Sequence, residues 1–328
     1  MLAKPGEQDR EGLYFNPVMK CCSYVPDLHN FLAGAILDDD DPQMAEGRKT
    51  VEARIRAGVG VTPLGLEPPA DYTLLYRHGT EAFGRSQTLR CPHYIEAGGR
   101  CGIWKHREST CATWFCKYER GSLGHLFWRE HLHPLLAAVE HHLAIWCALE
   151  LGLELDALHS LLAEARAADP ESLQPEQIDR RPEPEKQRRI WGNWRGREME
   201  WYRACAGRVR NLSWRDTAAI CGCEVAVLAR LAQKAYRELL DPQLPERLEP
   251  APFELVQIET GRLRVVGYSR LDPLDLPAQV FQVLHYFRGR NTRAAVQAIQ
   301  QEENIALSDD LILKLKDFGI LQAPGPGG

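Results

Sequence analysis

Ten cysteines occur in this 328-residue chain, and six of them fall within the first 116 positions. Cys91, Cys101, Cys111 and Cys116 follow one another with nine, nine and four residues between them, and the adjacent pair Cys21-Cys22 lies upstream. A thiolate prefers a soft, borderline or iron-based partner, so this set selects iron, an iron–sulfur cluster or, as the alternative, zinc over magnesium or calcium. The intervals are not those of a zinc ribbon or finger, which would show paired CxxC knuckles. A turn at Gly98-Gly99 would fold Cys101 back towards Cys91 across a short hairpin, and Arg107 to Phe115 would carry Cys111 and Cys116 round the same pocket. Two adjacent cysteines fit one ion poorly, so only one of Cys21 and Cys22 is expected to be essential.

Disulfides are the competing use of such a set. The opening Met1-Leu2-Ala3-Lys4-Pro5-Gly6-Glu7 has no apolar core segment and no small-residue cleavage site, so nothing marks the chain for export. No run of eighteen apolar residues is present, so no ordinary membrane-spanning helix is expected. The expectation is a cytoplasmic protein whose thiols stay reduced, where clustered cysteines bind metal or react. Cys147 and Cys205 stand singly on helical patterns and read as core residues. Cys221-Gly222-Cys223 is one residue short of a knuckle and is expected to hold no metal.

The run Cys91-Pro92-x-Tyr94 … Gly99-Arg100-Cys101-Gly102-Ile103-Trp104-x-x-Arg107-x-x-x-Cys111-x-x-x-Phe115-Cys116 resembles the second half of the YkgJ-type cysteine-cluster proteins. Cys21-Cys22 is similar to the final pair of that family's CxxCxxCC element. The chain departs from the pattern at Phe15 and Val18, where two cysteines would stand, and at Glu108, where the family has proline. The resemblance covers about residues 14–120 and implies a zinc- or iron-chelating domain. It implies little about reaction.

The elements that would position these residues follow from periodicity and breakers. Asp27 to Leu37 reads as a short helix with Leu28, Phe31, Leu32 and Ile36 inward. Pro42 suits the first turn of a second helix ending near Gly58, and the acidic run Asp38–Asp41 before it reads as a solvated N-terminal turn. Tyr72 to Tyr76 is expected to be a strand. Beyond Gly121 and Gly124 a long helical pattern runs through Leu126 to Trp146, with Pro134 kinking it or marking its start. Glu130 and His133 have the spacing of one di-iron half-site, but a bundle needs two such pairs, so these histidines are expected to be partly exposed helical residues.

Residues 168–189 turn polar and proline-rich and read as a linker. From Arg180 to Arg215, eleven basic residues against four glutamates interleave with Trp191, Trp194, Trp201 and Trp214. Such a mixture could bind phosphate and stack on bases. The favoured reading is an amphipathic helix whose tryptophans anchor it while its arginines face solvent. Ser213 and Gly222 would cap and turn a helix-turn-helix, but Glu224-Val225-Ala226-Val227 is a poor start for a helix that reads base edges, so a packing unit is expected.

The last part alternates as a hairpin, Phe253–Glu259 and Arg262–Tyr268 around Thr260-Gly261, followed by three short helices opening at Pro277, Thr292 and Ser308. Leu276 … Val280-Phe281-x-Val283-Leu284-x-x-Phe287-x-Gly289 and Lys316-Asp317-Phe318-Gly319-Ile320-Leu321 resemble a PqqD-like winged helix. That resemblance implies a domain that takes a peptide as an added strand on the hairpin edge. Residues 250–321 carry eight basic and nine acidic residues, which argues against duplex binding.

The expected fold is mainly α with small β hairpins, divided as a cysteine-cluster domain with a long helix (1–167), a linker (168–189), a helical region (190–245), a winged-helix-like domain (246–323) and a disordered tail (324–328). The expected function is metal binding through Cys21, Cys22, Cys91, Cys101, Cys111 and Cys116, with a peptide or protein partner for the C-terminal domain and neither nucleic acid nor membrane. One alternative is a metal- or cluster-dependent protein-modifying enzyme of the methylase kind. Another is a redox- or metal-sensing regulator that touches nucleic acid.

Overall fold

The structure, a computed structural model, describes residues 15–16, 18–167, 172–259 and 261–324. It is mainly helical with small antiparallel sheets. In chain order the first elements are β1 (Leu28–His29), α1 (Asn30–Asp38), α2 (Ala45–Ala57), β2 (Val61–Thr62), β3 (Gly65–Leu66) and α3 (Ala70–His78). Next come β4 (Tyr94–Ile95), β5 (Arg100–Cys101), α4 (Ser109–Thr113), α5 (Gly121–His125) and, after a π-helical turn over Leu126–Leu132, α6 (His133–Glu150). Then follow α7 (Leu155–Ala167), α8 (Pro175–Ile178), α9 (Pro184–Trp191), α10 (Glu198–Val209) and α11 (Trp214–Leu240). The chain closes with β6 (Glu249–Pro250), β7 (Glu254–Glu259), β8 (Arg262–Val266), β9 (Leu274–Pro277), α12 (Ala278–Gln282), α13 (Thr292–Glu302), α14 (Asp309–Asp317) and β10 (Leu321–Gln322). It separates into two compact units, one built from residues 1–112 with 136–226 and the other from 113–135 with 227–328.

In the first unit β3 lies between β1 and β2, all antiparallel. The loop between β2 and β3 presents bare carbonyls that buried side chains must satisfy. Asn30, with no exposed surface, donates from Nδ2 to the Pro63 and Ala144 carbonyls at 3.0 and 2.9 Å. Trp201 Nε1 donates to the Pro63 carbonyl at 2.9 Å, and the Tyr202 hydroxyl donates to those of Thr62 and Gly65 at 2.7 and 3.1 Å. Trp191 packs edge-on against both Trp201 and Tyr202. Trp191 and Trp201 therefore anchor, as the amphipathic reading of this region requires, whereas Trp214 is exposed. The arginines are engaged with surface carboxylates: Arg180 with Asp71, Arg189 with Glu164, Arg197 with Glu200, and Arg203 and Arg210 with Asp38.

Several sequence expectations change. Residues 72–76 lie in helix α3, not a strand; the tyrosines at 72 and 76 stack at helical spacing, and Tyr72 is buried against Val25 and Leu89. The polar stretch taken for a linker holds α8 and α9, and Ile190 and Trp191 are buried at the end of α9. The Asp38–Asp41 run is not simply solvated: Asp39 and Asp41 pair with Lys105, Asp39 also with His106, and Asp41 caps the turn at Pro42 by accepting from the Gln43 N–H. Pro134 sits at the start of α6 directly after the π turn, where its missing N–H is tolerated. Gly222 breaks α11 with φ 75° and ψ −157°, as the helix-turn-helix reading expected, and Ser213 and Asp216 cap each other's N–H groups before it. Gly121–Glu150 is, among the described residues, long and apolar enough to cross a membrane, against expectation. Arg129, Glu130 and Glu140 lie within it, which a bilayer interior disfavours.

The second unit contains the sheet β7–β8–β9 and the pair β6–β10, both antiparallel. The expected hairpin is present, with β7 pairing β8; Thr260 of its turn lies outside the described residues. Leu248, Val265, Leu276, Val280, Phe287, Ile299, Ile312 and Leu315 share its core. Arg120, in the left-handed region at φ 61°, forms a two-pronged pair with Asp317 at 2.8 and 3.0 Å and also donates to the Leu239 carbonyl. Residues 325–328 of the expected disordered tail lie outside the described residues.

Asn30 gives the first test. Asn30→Ala removes two buried hydrogen bonds and leaves the Pro63 carbonyl to Trp201 alone, so chemical denaturation should show a loss of about 1–3 kcal/mol. The denaturant slope should stay unchanged.

Candidate metal centre

Strands β4 and β5 form the hairpin foreseen between Cys91 and Cys101, with Tyr94 opposite Cys101. Its turn needs left-handed backbone at two successive positions, Gly98 at φ 83° and Gly99 at φ 57°. Lys20 reaches across from the segment before Cys21 to donate to the Gly99 carbonyl at 2.8 Å. The Cys91 N–H donates to the Cys22 carbonyl at 2.8 Å. Two backbone segments far apart in sequence are thus fastened together, and each carries cysteines.

The hairpin is also pinned to α2. His93, 1 % exposed, holds Thr50 Oγ1 at 2.7 Å through Nδ1 and Arg54 Nη1 at 3.2 Å through Nε2. Since a guanidinium can only donate, Nε2 accepts and Nδ1 carries the proton that Thr50 Oγ1 receives; that hydroxyl in turn donates to the Gly47 carbonyl. Arg54 spends its other amino group on the Leu66 and Glu67 carbonyls. Burial pushes His93 down to about 3, with Arg54 adding to the effect, so the ring is neutral. It serves as a brace here, with both nitrogens occupied. Gly47 lies so close under Gly102 that a methyl group would stand 1.9 Å from the Gly102 carbonyl oxygen.

Glu108, buried, caps α4 by accepting from the Thr110 and Cys111 N–H groups at 2.6 and 2.7 Å. Glutamate is not a usual N-cap residue, so the sequence gives no sign of this role. These contacts hold the backbone of Cys111.

Cys21, Cys22, Cys91, Cys101 and Cys111 are electrostatic neighbours. Cys22 is raised by its hydrogen bond with Cys21, then by burial and the charges of Cys21, Cys91 and Cys101. Cys91 is pushed up to about 12 by burial, with Cys101 adding to it and Arg54 opposing. Burial raises Cys101, with Cys21 contributing and Arg107 opposing. Burial also raises Cys111, with Glu108, Cys91 and Cys101 behind it. A thiolate formed at Cys22, Cys91, Cys101 or Cys111 is penalised by lost solvent and by its neighbours, a penalty that a bound cation would offset. Among the described residues, no three His, Cys, Asp or Glu side chains converge as a finished coordination shell. No disulfide joins the ten cysteines.

Cys116 belongs to the second compact unit, with Cys111 among the last residues of the first unit's opening segment. Cys147 and Cys205, expected to be separate core residues, are both fully buried and adjacent, with Cys147 Sγ 3.6 Å from the Cys205 carbonyl oxygen. His142 pairs with Glu224, an ordinary surface ion pair.

The packing of Gly47 against Gly102 yields a test that leaves every thiol in place. Gly47→Ala should cost about 1–3 kcal/mol through overpacking. Because the displaced backbone is that of the hairpin, maleimide should label Cys101 faster than in the parent protein under metal-free conditions. An unchanged labelling rate would mean that this contact does not hold the hairpin.

Comparison with protein families, with curated proteins and with solved structures returns no match for this chain.

Proposed function

We propose that the first unit is a metal-binding domain whose thiolates, drawn from Cys21 or Cys22 with Cys91, Cys101 and Cys111, hold iron, an iron–sulfur cluster or zinc. The observation that carries this reading is the gathering of five thiols from three chain segments, in which Cys21, Cys91 and Cys101 raise the ionisation cost of their neighbours.

The donor set fits the group. Arg107 Nε is buried and makes no hydrogen bond, while its positive charge favours the thiolate of Cys101. An orphan guanidinium donor beside a thiol matches a site that becomes anionic when a metal or cluster sulfur is present. Such a group, when bound, supplies either structural cross-linking or electron transfer. The chain's own part is to hold the thiols in register: Lys20, the Cys22 carbonyl and the His93 brace fix the backbones from which they project. The YkgJ-type resemblance of residues 14–120 points the same way. A metal-dependent protein-modifying enzyme and a metal-sensing regulator share this centre and differ only in what lies beside it.

For the second unit we infer a winged-helix-like fold over residues 246–323 that docks an extended peptide. Strand β7 is an edge of its three-stranded sheet, and Leu255 and Val256 on it are 42 % and 52 % exposed. An open edge with apolar side chains suits strand addition. The regulator reading lacks a comparable support, because arginines of the Arg180–Arg215 stretch are engaged with carboxylates.

Anaerobic purification with metal analysis and a visible spectrum tests the first reading. A brown protein containing sulfide is a cluster; a colourless one with zinc is a zinc site. Metal ligation contributes folding free energy, so Cys101→Ser should lose metal and melt at a lower temperature. Full metal content with an unchanged melting temperature would overturn the assignment.

The full chain should also show no salt-sensitive binding to a labelled DNA duplex in fluorescence anisotropy. Affinity that falls steeply with salt would favour the regulator instead.

A further inference from the structure

Next to Cys111, but built from different atoms, lies a group of nitrogen and oxygen donors. His29 ends β1 and precedes α1, where it makes no capping hydrogen bond. Its Nδ1 is buried and has no hydrogen-bond partner. Glu140 Oε2 on α6 stands 3.8 Å away. That carboxylate is held in place by the Ser109 N–H, which donates to the same oxygen at 3.1 Å. Ser109 also donates from its hydroxyl to Glu108 at 3.3 Å, so the carboxylates of residues 108 and 140 share one anchor.

An ordinary ion pair does not account for this arrangement. Hydrogen bonds of this kind span about 2.7–3.2 Å, and 3.8 Å is well outside that range. Burial also favours the uncharged forms. It pushes His29 down to about 4, with His141 adding to the effect. It pushes Glu140 up to about 7 against the hydrogen bonds from Ser109, with Glu108 and Asp27 contributing repulsion. His29 Nδ1 thus faces the Glu140 carboxyl group across a gap that no hydrogen bond closes.

Two ligands of one ion meet the distance instead. Metal bonds to imidazole nitrogen and carboxylate oxygen are each about 2.1 Å, so a shared ion spans up to about 4.2 Å between donors. We propose that His29 Nδ1 and Glu140 Oε2 are two ligands of a divalent first-row metal ion, in a nitrogen–oxygen site separate from the thiolates, with Glu108 and Asp27 supplying negative field and water completing the shell. Imidazole with carboxylate suits Mn²⁺, Fe²⁺ or Zn²⁺ better than calcium or a soft ion. The site does not depend on the thiolate centre, and the test separates the two.

Mn²⁺ is the probe, because it has little affinity for thiolates. The full chain, as purified, would be titrated with Mn²⁺ and the free ion followed by electron paramagnetic resonance, with metal already present counted by elemental analysis. His29→Gln and Glu140→Gln should each lower the sum of resident metal and tightly bound Mn²⁺ by one equivalent per chain, with any residual Mn²⁺ affinity at least tenfold weaker. The side-chain amide introduced by Glu140→Gln can still accept from the Ser109 N–H, so that variant should keep its fold; circular dichroism checks both. His142→Gln, which alters an ordinary surface pair, should change nothing. Cys101→Ser should lose thiolate metal yet keep the Mn²⁺ equivalent. If the parent protein holds no metal outside the thiolates and takes up no Mn²⁺, or if both variants match it, His29 and Glu140 are only a buried polar pair and the proposal fails.

Discussion

The first unit depends on one close approach between backbones. Gly34 of α1 packs so tightly against α10 that a methyl group there would stand 1.8 Å from the Tyr202 carbonyl oxygen. This fixes α1 against the helix that carries Trp201 and Tyr202, and those two residues donate to the carbonyls of the β2–β3 loop. Asn30, in the first turn of α1, closes the same group of acceptors. Everything attached to the start of α1 inherits this placement. That includes His29 and, a few residues earlier, the Cys21-Cys22 segment. A glycine at position 34 therefore constrains sites several residues away through rigid helix packing and not through any contact of its own with a ligand.

The second constraint is polar. The hairpin bearing Cys91 and Cys101 is too short to be stable alone, since two strands of two residues bury almost nothing. It is held by groups that would each be costly if left unpaired: His93 between Thr50 and Arg54, and the Cys22 carbonyl under the Cys91 N–H. A buried polar network of this kind has value only when complete. Burial of the thiols disfavours their ionisation, so a metal held there, as proposed, would release protons on binding.

Sequence reading found the elements whose causes are local. The Gly98-Gly99 turn, the helix ending at Gly58, the Ser308 cap and the hairpin near residue 261 each follow from a residue whose backbone or side-chain preference acts on its immediate neighbours. It failed where tertiary partners decide. Residues 72–76 carry β-favouring tyrosines, yet helical spacing lets Tyr72 and Tyr76 stack, and Tyr72 receives the Val25 N–H. The polar 168–189 stretch looks like a linker because the apolar anchors that α9 uses, Ile190 and Trp191, lie at its far end. In the candidate centre, Cys21, Cys22, Cys91, Cys101 and Cys111 are electrostatic neighbours. The roles of His93 and Glu108 were hidden because a brace and an N-cap are defined by acceptors and donors that the linear chain does not show.

Thiolate and nitrogen–oxygen donors meet at one short segment. Glu108 caps the helix that carries Cys111, and Ser109 between them steers the carboxylates of Glu108 and Glu140. Residues 108–111 thus hold a soft donor of their own and position hard donors beside it. Soft and hard ligands select different ions, so the two sites proposed above would separate two metals at one helical turn, without needing two domains.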